Sequence, residues 1–331
     1  MNVRLTQIDG TLPNLALMRL ASFHRERGDA ITFTRSVRRD MFEPDYGRVY
    51  GSAIFKFSAA RIDRLRTEWP DAIIGGTGTG TTDTIEPIVG NHAALDYSLY
   101  PDFTASIGFT QRGCRLACKF CVVPTKEGKP RAEHTVADIW RGAPWPKNLH
   151  LLDNDFFGGP DWQDRIAEIR DGGFRVSFTQ GINVRAVTPE VAAAIASIEY
   201  RDDGFSRRRL YTAWDNLKDG DVFFRGVDTL EAAGVPASHL MTYMLVGFDK
   251  RETWERIFHR FDRMVARGIR PYPMVFDNSR RDLKRFQRWV VTGLYRAVPF
   301  SDYDAGAKSH SASEHLQLEA DLTPLSHGRD I

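Results

Sequence analysis

From residue 105 onward, apolar runs recur at roughly thirty-residue spacing, centred on Gly108, Leu151, Val176, Tyr211, Met244 and Val275. Stretches of helical periodicity lie between them. Alternation of this kind confines the chain to an α/β fold with a parallel sheet and helices on its faces. Six strand–helix units predict an open, TIM-like partial (β/α)6 barrel over residues 105–300. Helix starts are marked inside the repeats. Thr135-Val-Ala-Asp138 reads as a capping box. Thr188-Pro189 places proline at a first helical position. Asp249-Lys-Arg-Glu252 is expected to cap a helix that carries Trp254, Ile257, Phe258, Phe261, Met264 and Val265 at core spacing.

The first hundred residues read as a smaller Rossmann-like or flavodoxin-like α/β unit over residues 1–80. Strands are expected at 3–8, 31–34, 49–57 and 72–75, and helices at 13–27 and 59–69. The first helix presents Leu17, Leu20, Ala21 and His24 on one face, and Gly28 stops it. Gly75-Gly-Thr-Gly-Thr-Gly80 follows the last strand. Its spacing fits neither the dinucleotide fingerprint nor the phosphate-loop pattern, so it reads as a turn leading out of the unit. Residues 81–104 are expected to be an extended linker, and residues 301–331 a surface extension.

All three cysteines fall within eight positions, in Gly113-Cys-Arg-Leu-Ala-Cys-Lys-Phe-Cys121. Thiolates are soft ligands that suit iron–sulfur clusters, zinc or copper(I). A cubane cluster held by protein alone takes four cysteines, so Cys114, Cys118 and Cys121 would leave one iron open. Zinc is the second reading. It wants a fourth ligand, and His134 is the nearest histidine beyond the cysteines. A core helix carrying cysteine at i, i+4 and i+7 is the third, and requires no metal.

Polar residues or glycines stand where most of the barrel strands end. These are Asp153, Asn154 and Asp155, then Gln180, Gly181, Asn183 and Arg185, then Asp215, Gly247 and Asp277. In βα barrels the carboxyl ends of the strands form the active-site face, and the cysteine segment follows the first strand on that face.

Cys114-x-x-x-Cys118-x-Phe120-Cys121 after the first strand resembles the radical S-adenosylmethionine superfamily. Gln180-Gly-Ile-Asn-Val-Arg185 and Tyr243-Met-Leu-Val-Gly-Phe248 look like segments of an uncharacterised subgroup of that superfamily. Residues 1–80 are similar to the truncated cobalamin-binding-like domain that precedes the barrel in some members. The resemblance implies a 4Fe–4S cluster on Cys114, Cys118 and Cys121, with S-adenosylmethionine at the open iron. It implies reductive cleavage to a 5′-deoxyadenosyl radical that takes hydrogen from a substrate. An electron donor of reductase, flavodoxin or ferredoxin type is implied with it. Residue by residue, Phe120 would lie near the adenine. Asp153, Asn154 and Asp155 stand where the family has Gly-Gly-Glu against the methionine amino group. Arg185 would pair with the methionine carboxylate, Asp215 with ribose hydroxyls, and Gly247 would admit the adenine. Gln180 and Asn183 belong to the same cofactor-binding set. Asp-x-His-x-x-Gly is missing from the N-terminal unit, where Asp9-Gly-Thr-Leu-Pro-Asn14 stands instead, so cobalamin is not expected. With no fourth cysteine in the chain, no auxiliary cluster is expected.

Whole-chain properties exclude little but direct the search. A net charge of +2 gives no global case for nucleic-acid or membrane binding. No apolar run is long enough to span a bilayer, and sparse, clustered cysteine fits a reducing, cytoplasmic compartment. Two local basic features, Arg207-Arg-Arg209 and the set Arg280, Arg281, Lys284, Arg285, Arg288 with Phe286 and Trp289, are those of a nucleic-acid surface or of a solvated helix face. Peptide and small-molecule substrates stay open. The competing function is an iron–sulfur or zinc-binding regulatory or nucleic-acid-binding protein without radical chemistry.

Overall fold

The computed structural model describes residues 1–81 and 83–304. The expected tail beyond residue 304 lies outside the described residues. In chain order the elements are β1 (Asn2–Gln7), α1 (Leu15–Glu26), β2 (Ala30–Thr34), β3 (Arg48–Ser52), α2 (Ala59–Glu68), β4 (Ile73–Gly75) and α3 (Glu86–Val89). Then come β5 (Ser106–Gly108), β6 (Gln111–Arg112), α4 (Val123–Lys126), β7 (Arg131–Ala132), α5 (Val136–Ile139), β8 (Asn148–Leu151), α6 (Trp162–Asp171), β9 (Arg175–Phe178), α7 (Pro189–Ala196) and β10 (Glu199–Tyr200). The last are β11 (Leu210–Ala213), α8 (Gly220–Ala232), β12 (Leu240–Val246), α9 (Trp254–Ala266), β13 (Arg270–Val275) and α10 (Arg281–Val291).

β1 to β4 form a parallel sheet in the order β2-β1-β3-β4. The alternation of a strand sorts the faces. Val3 and Leu5 are buried with Leu17, Met18 and Leu20 of α1. Arg4, on the other face, pairs with Glu43 at 3.1 Å and lies over the Trp69 ring. Asn14 caps α1 by accepting from the Leu17 amide, and Gly28 ends it at φ +79. The expected strand over 49–57 stops at Ser52, because the Asp9 carboxylate takes the amides of Ile54 and Phe55 and turns the chain out of the ladder. The expected linker is not extended. Val89, Leu99 and Tyr100 from 81–104 are buried in the same core as α1.

All six expected barrel strands exist and run parallel, but their ladders do not form one sheet. Among the described residues the orders are β10-β9-β8-β5 and β11-β12-β13. β9 ends at Phe178, and the chain bends through Gly181 at φ +82. The two sheets meet where the Ile182 amide donates to the Tyr211 carbonyl at 2.8 Å. One core serves both, running from Val136 to Tyr303 beneath the helices. The stripe on α9 is core as expected, with Ile257, Phe261 and Met264 buried. The cap of that helix is Thr253, not Asp249 to Glu252; the Thr253 side chain accepts from the Arg256 amide. Between β5 and β8 stand the short α4, the β6–β7 hairpin and α5, which begins at the expected Thr135–Asp138 capping box. Prolines at 124, 130, 144 and 146 break this stretch.

Candidate functional site

The cysteine loop leaves β6 and re-enters the hairpin at β7. Residues 113–121 form no helix, which removes the core-helix reading of the three cysteines. Gly113 opens the loop at φ +86, where a Cβ would overlap the Lys129 carbonyl. The Cys114 amide closes the base on the Gly128 carbonyl at 3.1 Å. Glu127 organises this base. Its carboxylate accepts from Arg112 at 3.0 Å, from the Gly113 amide at 3.1 Å and from Asn154 at 3.1 Å.

The three thiols are free and half-buried. Backbone amides point at two of them, Leu116 at Cys114 Sγ (3.4 Å) and Val123 at Cys121 Sγ (3.5 Å). Burial pushes the Cys114 thiol up from its ordinary range, against the Leu116 amide. Burial also raises Cys118, and there the positive charge of the nearby Arg185 guanidinium works in the opposite direction. Soft thiols with amide donors at sulfur fit the donor chemistry of an iron–sulfur cluster. Among the described residues no three His, Cys, Asp or Glu side chains converge closely enough to hold one metal ion. His134, the fourth ligand of the zinc reading, is exposed.

The strand-end residues divide into those that hold the loop and those that face it. Asp155, on the turn after β8, binds Arg115 through both carboxylate oxygens, at 2.7 and 2.9 Å. Gly158 permits this, because a Cβ there would overlap both partners. Asn154 donates to Glu127. Asp153 is buried and accepts at Oδ1 from the Thr110 hydroxyl and the Gln111 amide. Its Oδ2 has no partner among the described residues, and burial pushes its carboxyl up to about 7. Arg185 comes from the turn after β9, pairs with Asp219 at 2.7 Å and donates from Nε to Asn183 Oδ1 at 3.2 Å. Asp215, at the end of β11, accepts from the Leu245 amide at 3.1 Å; burial raises its carboxyl, opposed by that amide and by Arg260 and Arg185. Gln180 is exposed on the rim. Asp277 bonds Ser279 locally.

Gly247 is held at φ +79, and its amide donates to Glu252 at 2.7 Å. A cavity of about 730 Å3 opens here, between Phe120 of the cysteine loop, Gly247, Phe248, Phe276 and Lys56. Phe120 meets Phe248 edge-on at 5.5 Å, and Phe248 meets Phe276 at 4.9 Å. Lys56 brings the N-terminal unit to this cavity, and Thr77 of the glycine-rich loop lies 3.4 Å from Lys126 of α4. Gly76 and Gly78 of that loop pack on the backbone of residues 53–55, which leaves them no role as a phosphate cradle.

The chain is similar to a curated tRNA modification enzyme. That protein is the tRNA-2-methylthio-N(6)-dimethylallyladenosine synthase of Sulfurihydrogenibium sp. (strain YO3AOP1), 27% identical over 209 residues. The match covers 54% of this chain and 45% of that protein, so the chain spans under half the length of the relative. The similarity is distant and partial, and supports the radical S-adenosylmethionine resemblance at the level of the superfamily. No protein-family model matches, and no solved structure matches.

Several members of the site were invisible in the sequence. Arg115 and Glu127 carried no motif, although both lie close to the cysteines. Glu252 was expected to be a helix cap and instead binds the Gly247 amide and buried Arg260. Part of the two local basic features is engaged within the fold. Phe286 and Trp289 are buried, Arg285 binds the Phe300 and Tyr303 carbonyls, and Arg208 pairs with Glu199.

Proposed function

We propose that the chain is a radical S-adenosylmethionine enzyme. The observation that supports this reading is that Arg185 and Asp215, from two other strand ends, lie near enough to Cys118 for their charges to act on its thiol. The two parallel sheets are taken as an open partial barrel with these groups at its mouth. Residues 1–80 are taken as a separate small domain, with 81–104 packed onto it and 105–300 as the catalytic unit.

In this reading Cys114, Cys118 and Cys121 would hold a 4Fe–4S cluster and leave one iron open for S-adenosylmethionine. When bound, these two groups supply a one-electron sulfonium cleavage that yields a 5′-deoxyadenosyl radical for hydrogen abstraction. The chain's own residues bind and orient. Arg185 offers a planar fork to the methionine carboxylate. Asp153 is the carboxylate of its tripeptide assigned to the methionine ammonium, because Asn154 and Asp155 are already engaged and its Oδ2 is not. Asp215 faces the ribose. Gly247 lets backbone approach the adenine, and Phe120, Phe248 and Phe276 keep water from it. Asn183 steadies Arg185, and Gln180 stands at the rim. A flavodoxin- or ferredoxin-type donor or a reductase supplies electrons, and the compartment is cytoplasmic. Among the described residues no helix is long and apolar enough to cross a membrane.

Anaerobic reconstitution tests the reading. The expected result is a brown protein with about four irons per chain that forms 5′-deoxyadenosine from S-adenosylmethionine only with a reductant. Stoichiometric zinc with no such product overturns it.

A further inference from the structure

The N-terminal sheet carries a second crevice, separate from the cysteine loop. In the order β2-β1-β3-β4, the chain's neighbours change side between β1 and β3. Open parallel sheets bind ligands outside the carboxyl ends of their strands at such a switch point. A cavity of about 400 Å3 lies there, between Asp9 and Gly10 after β1, Arg35 after β2, and Phe55, Phe57 and Arg61 after β3. That volume suits a small organic ligand.

The walls have a definite chemistry. Phe55 and Phe57 lie parallel, 5.0 Å apart at 9°, yet they are 42% and 65% exposed. A stacked aromatic pair left open to water is a costly arrangement for a fold to hold without an occupant. The pair is held in place, because Asp9 accepts the Ile54 amide at 2.7 Å and the Phe55 amide at 3.0 Å. Arg35 reaches across the crevice to the Gly10 carbonyl at 2.8 Å, and Arg61 donates to the Arg35 carbonyl at 2.8 Å. Neither guanidinium has a carboxylate ion-pair partner among the described residues, while both Asp9 oxygens accept from backbone amides. The crevice therefore presents aromatic faces beside two guanidinium groups and one carboxylate, a net positive lining.

We propose that this crevice binds a nucleotide unit, a planar heterocycle stacked on Phe55 and Phe57 with its phosphate at Arg35 and Arg61. Lys56, between the two phenylalanines, lines the cavity that contains Phe120. A ligand on this ledge thus sits one residue from the chamber beside the cysteine loop. Its role as the substrate of radical chemistry rests on the proposed function; its binding does not.

The test is calorimetric titration of the full chain with the four ribonucleoside monophosphates, flavin mononucleotide and a short single-stranded RNA. The matching nucleosides and inorganic phosphate serve as controls. At least one phosphorylated heterocycle is expected to bind with a Kd of about 100 µM or lower. Its phosphate-free form and phosphate alone are expected to bind at least about tenfold more weakly, and so is the best ligand to Phe57→Ala and to Arg61→Gln. Both replaced side chains are exposed, and circular dichroism checks that the fold is kept. A preference for the RNA over its mononucleotides assigns the nucleotide to a strand, and the reverse assigns it to a free molecule. Cys114→Ala is expected to bind like the parent, so failure of the cluster chemistry leaves this result standing. Binding of none of the probes below about 1 mM, or equal binding to parent and both crevice variants, overturns the proposal.

Discussion

Asp155 receives two parallel hydrogen bonds from Arg115, from Nε at 2.7 Å and from Nη2 at 2.9 Å. The carboxylate is 2% exposed and the guanidinium 43%, so the pair is a clamp from the buried end of β8 to the residue after Cys114. Bidentate geometry fixes direction as well as distance. Asp155→Ala is expected to destabilise the fold by about 1–3 kcal/mol, discounted for the exposed arginine. Its larger effect is expected on the loop, with iron uptake on reconstitution cut to half or less. Gly158→Ala should reproduce the loss of iron, since the new Cβ would occupy the space of the pair. Parent-like iron content in both variants would show that the clamp does not shape the loop.

Asp153 gives the chain a pH dependence of definite sign. Burial pushes its carboxyl up to about 7, from an ordinary value of 3.8. Between these values the folded state keeps a proton that the unfolded chain has lost. Its contribution to stability is therefore full below the ordinary value and is lost as pH rises through about 7. Asp153→Asn cannot titrate and retains an acceptor for Thr110 and Gln111. Relative to the parent it is expected to gain about 1–4 kcal/mol at pH 8, and little or nothing near pH 4. Urea denaturation at the two pH values measures the difference. A constant difference between them rejects the assignment to Asp153.

What the sequence disclosed, and what it did not, follows from the range of the interactions. Strand and helix positions came from local periodicity, so α1 and α2 stand within two residues of expectation at each end, and the core stripe expected after residue 253 lies on α9. The cysteine motif and the strand-end polar residues are also local signals. The break between the two sheets is not local. It depends on the Gly181 bend and on one hydrogen bond between Ile182 and Tyr211, which no pattern in either strand announces. The same holds at the site. Arg185 beside Cys118 joins residues far apart in the chain, and Glu252 looked like a cap because its partner Arg260 lies on the next turns of α9. Phe286 and Trp289 looked available for stacking because their burial depends on the packing of Phe258 and Phe300.

Arg260 is 1% exposed and donates to four acceptors. It donates to the Trp214 and Asp215 carbonyls at 3.0 Å, to the Leu245 carbonyl at 2.9 Å, and to Glu252. These bonds join the ends of β11 and β12 to the loop that positions Gly247. Arg260→Met removes the charge but strands a buried carboxylate and three carbonyls, and is expected to cost about 3–5 kcal/mol. Glu252→Gln keeps an acceptor for the Gly247 amide and should cost less. Chemical denaturation midpoints rank the two variants. A Glu252→Gln protein less stable than Arg260→Met contradicts this account of the pair.

Arg185 separates cofactor recognition from cluster assembly. Its guanidinium donates to Asn183 and Asp219 at once while its charge acts on the Cys118 thiol, and a planar fork suits partners in different directions. Arg185→Lys keeps the positive charge near the cysteines and loses the fork. The variant is expected to bind iron like the parent while its S-adenosylmethionine dissociation constant rises about tenfold. Arg185→Ala should weaken it further, because the charge is gone as well. Asp219→Asn should change affinity much less, as it alters a neighbour that the ligand does not touch. Equilibrium binding to the reconstituted protein, read beside iron content, distinguishes these outcomes. Loss of iron in Arg185→Lys would make the arginine a support for the cysteine loop, and unchanged affinity in both Arg185 variants would remove it from the cofactor site.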